Sequence, residues 1–89
     1  MAQVIVSPRE MRAFAQDLAE LIQAVEARDR QLAEGLRSLG STWADERYRT
    51  FSRVQSTTAA QLQIFYRMGK NYVQYLGNKA TAAERYLGR

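Results

Sequence analysis

The chain has 89 residues, with 13 lysines and arginines against 9 acids, a net charge of +4 and a pI near 9.9. One domain of this size buries only roughly 60–65% of its unfolded surface, so it is marginal unless its elements pack closely or share a core with another chain. Cysteine and histidine are both absent, which removes disulfides, the commonest metal ligand and the commonest general base at neutral pH. No apolar run approaches the ~20 residues of a membrane span. The start lacks the basic segment and apolar core of a signal peptide. The expected location is the cytoplasm, with any export by a route that uses no signal peptide.

Residues 1–7 are expected to be a tail and cap. Within V-S-P-R-E-M, Ser7 suits an N-cap, Pro8 the first helical position, and Glu10 closes a capping box. Val6 and Met11 stand where a hydrophobic staple forms. Apolar residues then recur at Met11, Phe14, Leu18, Leu21, Val25, Leu32 and Leu39, with Arg28 and Gly35 in the remaining slots. Ala15, Ile22 and Leu36 widen the stripe. Held over four heptads, this 3-4 spacing predicts a bundle helix over 8–39, about 48 Å long, with Gly40 as its C′ residue.

The turn is expected at 40–42. Thr42, with Asp45 three residues on, resembles a second capping box, and Asp45 and Glu46 suit a helix N-terminus. The second helix is predicted over 43–87, roughly 65 Å, a break at Gly77-Asn78 being the alternative left open. Two long helices joined by so short a turn fold back as an antiparallel hairpin, so the fold class is all-α. Trp43, the only tryptophan, is expected to fold over Leu39 and plug the tip, with Phe51 below it. Truncating such an indole typically costs about 3–5 kcal/mol.

One hairpin covers one stripe per helix. Leu62, Phe65, Val73, Leu76 and Ala83 form a stripe on the second helix, whereas Ile64, Met68 and Tyr75 point away from it. Unpartnered apolar surface of that size marks an interface, and pairing two hairpins into a four-helix bundle covers it. The expected interface residues are Phe14, Leu18, Leu21 and Val25 on the first helix, and Leu62, Phe65, Tyr72, Val73 and Leu76 on the second. The expected state is a homodimer, or a heterodimer with a related acidic hairpin. Arg28 and Asp29 interrupt the apolar pattern, either as exposed charges or as a polar layer that fixes register.

Leu39, Trp43 and Phe51, in the pattern L-x(3)-W-x(7)-F at the centre of a helical hairpin, resemble the WXG superfamily, the early-secreted-antigen-like proteins of type VII secretion. The opening V-x-P-x-x-M, here Val6, Pro8 and Met11, is similar to members of that family. Asp45 stands where the family has its glycine. The resemblance implies a non-enzymatic, dimerising secretion substrate or a targeting partner of a larger effector, recognised by a secretion ATPase through the tip residues Leu39, Trp43, Asp45 and Phe51. A chaperone associated with a toxin is a third form of the same role. The family's C-terminal Tyr-x-x-x-Asp/Glu signal is not completed: Tyr72 is followed by Leu76, Tyr75 by Lys79, and Tyr86 stands too near the chain end.

Charge supplies the runner-up. From Arg47 to Ala83 the second helix carries Arg47, Arg49, Arg53, Arg67, Lys70 and Lys79 and no acid. This pattern suits a basic adaptor for nucleic acid, although the bases are dispersed and no recognition-helix motif accompanies them. A charge-complementary helical partner fits it better. An enzyme is not expected. Without Cys or His the usual nucleophile–base pairs cannot be assembled. Asp45 and Glu46 point about 100° apart on a helix, and Asp17 and Glu20 share a face with no other catalytic group. No cofactor and no metal is expected.

Overall fold

A computed structural model of the chain describes residues 7–88. They form two helices, α1 (Pro8–Gly40) and α2 (Glu46–Tyr86), packed against each other as a flat antiparallel hairpin of 62 × 27 × 14 Å. Among the described residues no strand is present. α1 starts as its sequence dictates: Ser7 is extended, its hydroxyl accepts from the Glu10 amide at 3.3 Å, and Pro8 occupies the first turn. The staple expected between Val6 and Met11 lies outside the described residues. α2 runs through Gly77 and Asn78 without a break.

The two helices meet along rows that repeat every three or four residues. On α1 the inward row is Pro8, Met11, Ala15, Leu18, Ile22, Val25, Asp29, Ala33, Leu36 and Gly40, each buried or half-buried. On α2 it is Tyr48, Ser52, Gln55, Ala59, Leu62, Tyr66, Gly69, Val73, Leu76, Ala80 and Ala83. The α2 row alternates 4 and 3 without interruption, the 3.5-residue period that keeps one seam facing a partner helix. The buried hydrophobic side chains are few, Ala15, Ile22, Tyr66, Leu76 and Ala80, two of them alanines. Small residues let two helix backbones approach. Gly69 makes the case, since a Cβ there would stand 2.5 Å from Cδ1 of Ile22.

The row predicted from the apolar pattern of α1 is therefore only partly the one that packs. Leu18 and Val25 lie in the seam, but Phe14, Leu21, Leu32 and Leu39 are each about half exposed. The true seam is rotated toward Ala15, Ile22 and Leu36, the residues that only widened the predicted stripe. On α2, Leu62, Val73 and Leu76 pack inward while Phe65 and Tyr72 stay exposed.

Gly77 contrasts with Gly69, because a Cβ at Gly77 meets nothing within 4 Å. Gly77→Ala is thus expected to stabilise the chain by about 1 kcal/mol through helix propensity alone. Thermal or denaturant melting checks it, and an unchanged midpoint would mean the helix already frays there.

Candidate functional site

The turn spans residues 41–45 and departs from expectation in three ways. Gly40 is the last helical residue of α1, not a left-handed cap after it. Its smallness serves packing: a Cβ there would lie 2.6 Å from Cζ of Tyr48, and closer to its hydroxyl. Thr42 does not cap α2, because its hydroxyl donates back to the Leu39 carbonyl at 3.1 Å. Asp45 is the N-cap, accepting from the Tyr48 amide at 2.8 Å, so α2 begins at Glu46.

Trp43 consequently lies outside α2 and does not plug the tip; it is 64% exposed. Its backbone N–H closes the end of α1 on the Leu39 carbonyl at 2.7 Å, and its indole N–H donates to Asp45 Oδ2 at 3.1 Å. The plug is Tyr48, half-buried against Gly40, whose hydroxyl donates to the Leu36 carbonyl at 3.0 Å. Phe51 is also exposed. The predicted tip residues thus share one end of the rod, as surface groups. Arg49 braces the turn by donating to the Ala44 carbonyl at 2.7 Å.

Asp45 is held below the usual carboxylate range, chiefly by the Tyr48 amide and next by the Trp43 indole, with the Arg49 charge adding to both. A depressed folded pKa makes the cap's contribution present above the ordinary carboxylate range. That contribution is lost as pH falls through the folded value. The melting midpoint is therefore expected to drop on the acid side, and Asp45→Asn, which keeps an acceptor but not the charge, to flatten that drop. Melts followed by circular dichroism between about pH 2 and pH 5 test it.

Seen from the seam, the hairpin has two unlike broad faces. In a right-handed helix the residue before an inward position turns about 100° one way and the residue after it about 100° the other. Because the helices are antiparallel, the "before" residues of both fall on one face and the "after" residues on the other. The first set is apolar: Phe14 and Leu21 on α1, and Phe51, Val54, Phe65, Met68, Tyr72 and Tyr75 on α2, all exposed. Their rings meet across and along this face, Phe14 edge-on to Tyr72 at 6.4 Å and Tyr72 stacked on Tyr75 at 5.9 Å. The charges on it nearly balance, Glu10 and Asp17 against Arg28, Arg47 and Lys79.

The opposite face is basic. Arg9, Arg12, Arg30, Arg37, Arg49, Arg53, Arg67 and Lys70 each directly follow an inward residue. Of the acids beside them, Glu84 is paired with Arg12 at 2.5 Å, Glu26 with Lys70 at 3.2 Å and Glu46 with Arg49 at 3.6 Å, leaving Glu34. These exposed pairs contribute little stability, but two of them bridge α1 and α2 and locate this face. Arg12 also donates to Thr81 at 3.0 Å, which strengthens the bridge between the helix ends.

Arg28 and Asp29 separate at the seam, and neither is buried. Arg28 is exposed, whereas Asp29 sits half-buried in the seam. Tyr66, 3% exposed, has a buried hydroxyl with no hydrogen-bond partner among the described residues. Burial, and then the charges of Asp29 and Glu26, push that phenol above its ordinary value.

Among the described residues no cluster of three or more acids is placed to hold a metal ion, and no helix is long and apolar enough to cross a membrane. Compared with models of known protein families, with curated proteins and with solved structures, the chain finds no match.

Proposed function

We propose that this chain is a non-enzymatic hairpin protein that pairs with a second copy of itself through its apolar face and acts through protein–protein contacts. The carrying observation is that face: a row of exposed aromatic and aliphatic side chains on a body only 14 Å thick. A single layer of two helices leaves this surface in water unless another layer covers it. A 62 × 27 Å face is ample for the ~800 Å² per partner of a standard stable interface. Its nearly cancelling charges suit a self-complementary contact, which a face of one sign does not. Two such hairpins make a four-helix bundle.

The role proposed for that bundle is a small type VII-like secretion substrate or a targeting partner of a larger effector. The hairpin fold and the exposed tryptophan at its turn support it, together with the WXG-like residues Leu39, Trp43 and Phe51. The expected mass by light scattering is twice 10.2 kDa, and Phe65→Glu with Tyr72→Glu should return a folded monomer. A stable, soluble wild-type monomer would refute the pairing. The secretion role is tested separately, by whether a tagged chain reaches the medium only when the secretion ATPase is present.

A further inference from the structure

The basic face is not flat. Between the two ion pairs that bridge the helices, small residues leave a furrow. Three hollows of about 170, 300 and 360 Å³ lie along it and share Ala19, Val73 and Lys70 between neighbours. Its floor is apolar, from Ala15, Ala19, Ile22, Val73 and Gly77. Its walls carry the amides of Gln16, Gln23 and Gln63 and the guanidinium of Arg67. From Arg12 to Glu26 it runs about 21 Å, the length of four helical turns.

We propose that this furrow receives an acidic amphipathic helix from another protein. The floor offers apolar contact to one ridge of such a helix; the unpaired Arg67 on its wall, and Arg30, Arg37 and Arg53 further along the same face, meet its acids. A second copy of the chain does not fit, because it would bring a face of the same sign against this one. Duplex nucleic acid uses the arginines but gains nothing from an alanine, isoleucine and valine floor. The aromatic rings on which single-stranded bases would stack lie on the opposite face. The furrow therefore distinguishes a helical protein ligand from a polyphosphate by its floor, and an acidic from a basic one by its rim.

The test uses the full chain and a fluorescently labelled peptide of about four helical turns built from Leu, Ala and Glu in amphipathic order. Saturable binding is expected in fluorescence anisotropy, weakening as salt rises from about 50 to about 500 mM. Gly77→Leu should abolish it by filling the furrow. Its side chain starts in open space and leucine is a better helix former than glycine, so the melting midpoint should not fall and the light-scattering mass should hold. Arg67→Glu should weaken binding by about tenfold, roughly one charge-assisted contact. Three results would overturn the proposal: no saturable binding, equal binding of the same peptide with Lys for Glu, or binding indifferent to Gly77→Leu. If a DNA duplex binds instead, sensitive to Arg67→Glu but not to Gly77→Leu, the face is a nucleic-acid surface. The apolar-face pairing is read independently, by mass.

Discussion

Ile22→Ala is expected to lower the stability of the folded chain by about 2–5 kcal/mol, the range for deleting a buried aliphatic side chain. Ile22 is 1% exposed and is the largest side chain so completely enclosed. It sits against Gly69, where a Cβ would stand 2.5 Å from its Cδ1. The same contact predicts an inversion of helix propensity. Alanine is the better helix former by about 1 kcal/mol, yet Gly69→Ala should destabilise, since the new methyl would stand 2.5 Å from Cδ1 of the buried Ile22, which must shift to admit it. Shortening Ile22 to valine in the Gly69→Ala background should recover part of the loss. Urea melts of the four species close a double-mutant cycle. Strict additivity would show that the two residues do not touch in solution.

At the turn the expected order of importance is the reverse of residue size. Tyr48→Ala should cost about 2 kcal/mol, less than the ~3–5 of a fully buried aromatic because the ring is only half-buried. Tyr48→Phe should cost about 1 kcal/mol for its bond to the Leu36 carbonyl. Trp43→Ala should fall within about 0.5 kcal/mol of wild type, as surface substitutions do. Denaturant midpoints measured side by side decide the matter. A Trp43 cost equal to that of Tyr48 would restore tryptophan as the plug. If instead Trp43→Ala folds well but loses function, the exposed indole is a contact residue.

The same pair shows what a sequence conveys and what it withholds. The Ser7-Pro8 start, the two long periodic stretches and the reversal near residue 40 are local signals, and each appears where local chemistry put it. The turn's contents are not local in that sense. Asp45 and Thr42 are both capable N-caps, and the choice fell to Asp45 because its carboxylate takes the Tyr48 amide and the indole together. That choice moved Trp43 out of α2 and passed the plug to Tyr48.

The seam was the larger difficulty. α1 has two adjacent apolar rows, and hydrophobicity favours the one with Phe14, Leu21, Leu32 and Leu39. The close approach of the helices favours the one with Ala15 and Ile22, and packing prevailed over hydrophobicity. Once Gly69 and Ala80 are seen as the complementary small residues on α2, the two faces follow by counting one position backward or forward. Phe65 before Tyr66 and Arg67 after it display both in three consecutive residues. The furrow was not legible, because it depends on which small residues of the two helices fall opposite each other.

The bridge from Arg12 to Glu84 and Thr81 has a consequence for reach. It fastens the beginning of α1 to the end of α2, so the entry and exit of the hairpin sit side by side at one pole. The 33 residues of α1 put the Trp43 turn about 50 Å away at the other. A fluorophore, affinity tag or surface tether attached at either end therefore hangs from the same pole. The molecule can be anchored there and still present its turn unobstructed, like a handle with the working end held clear.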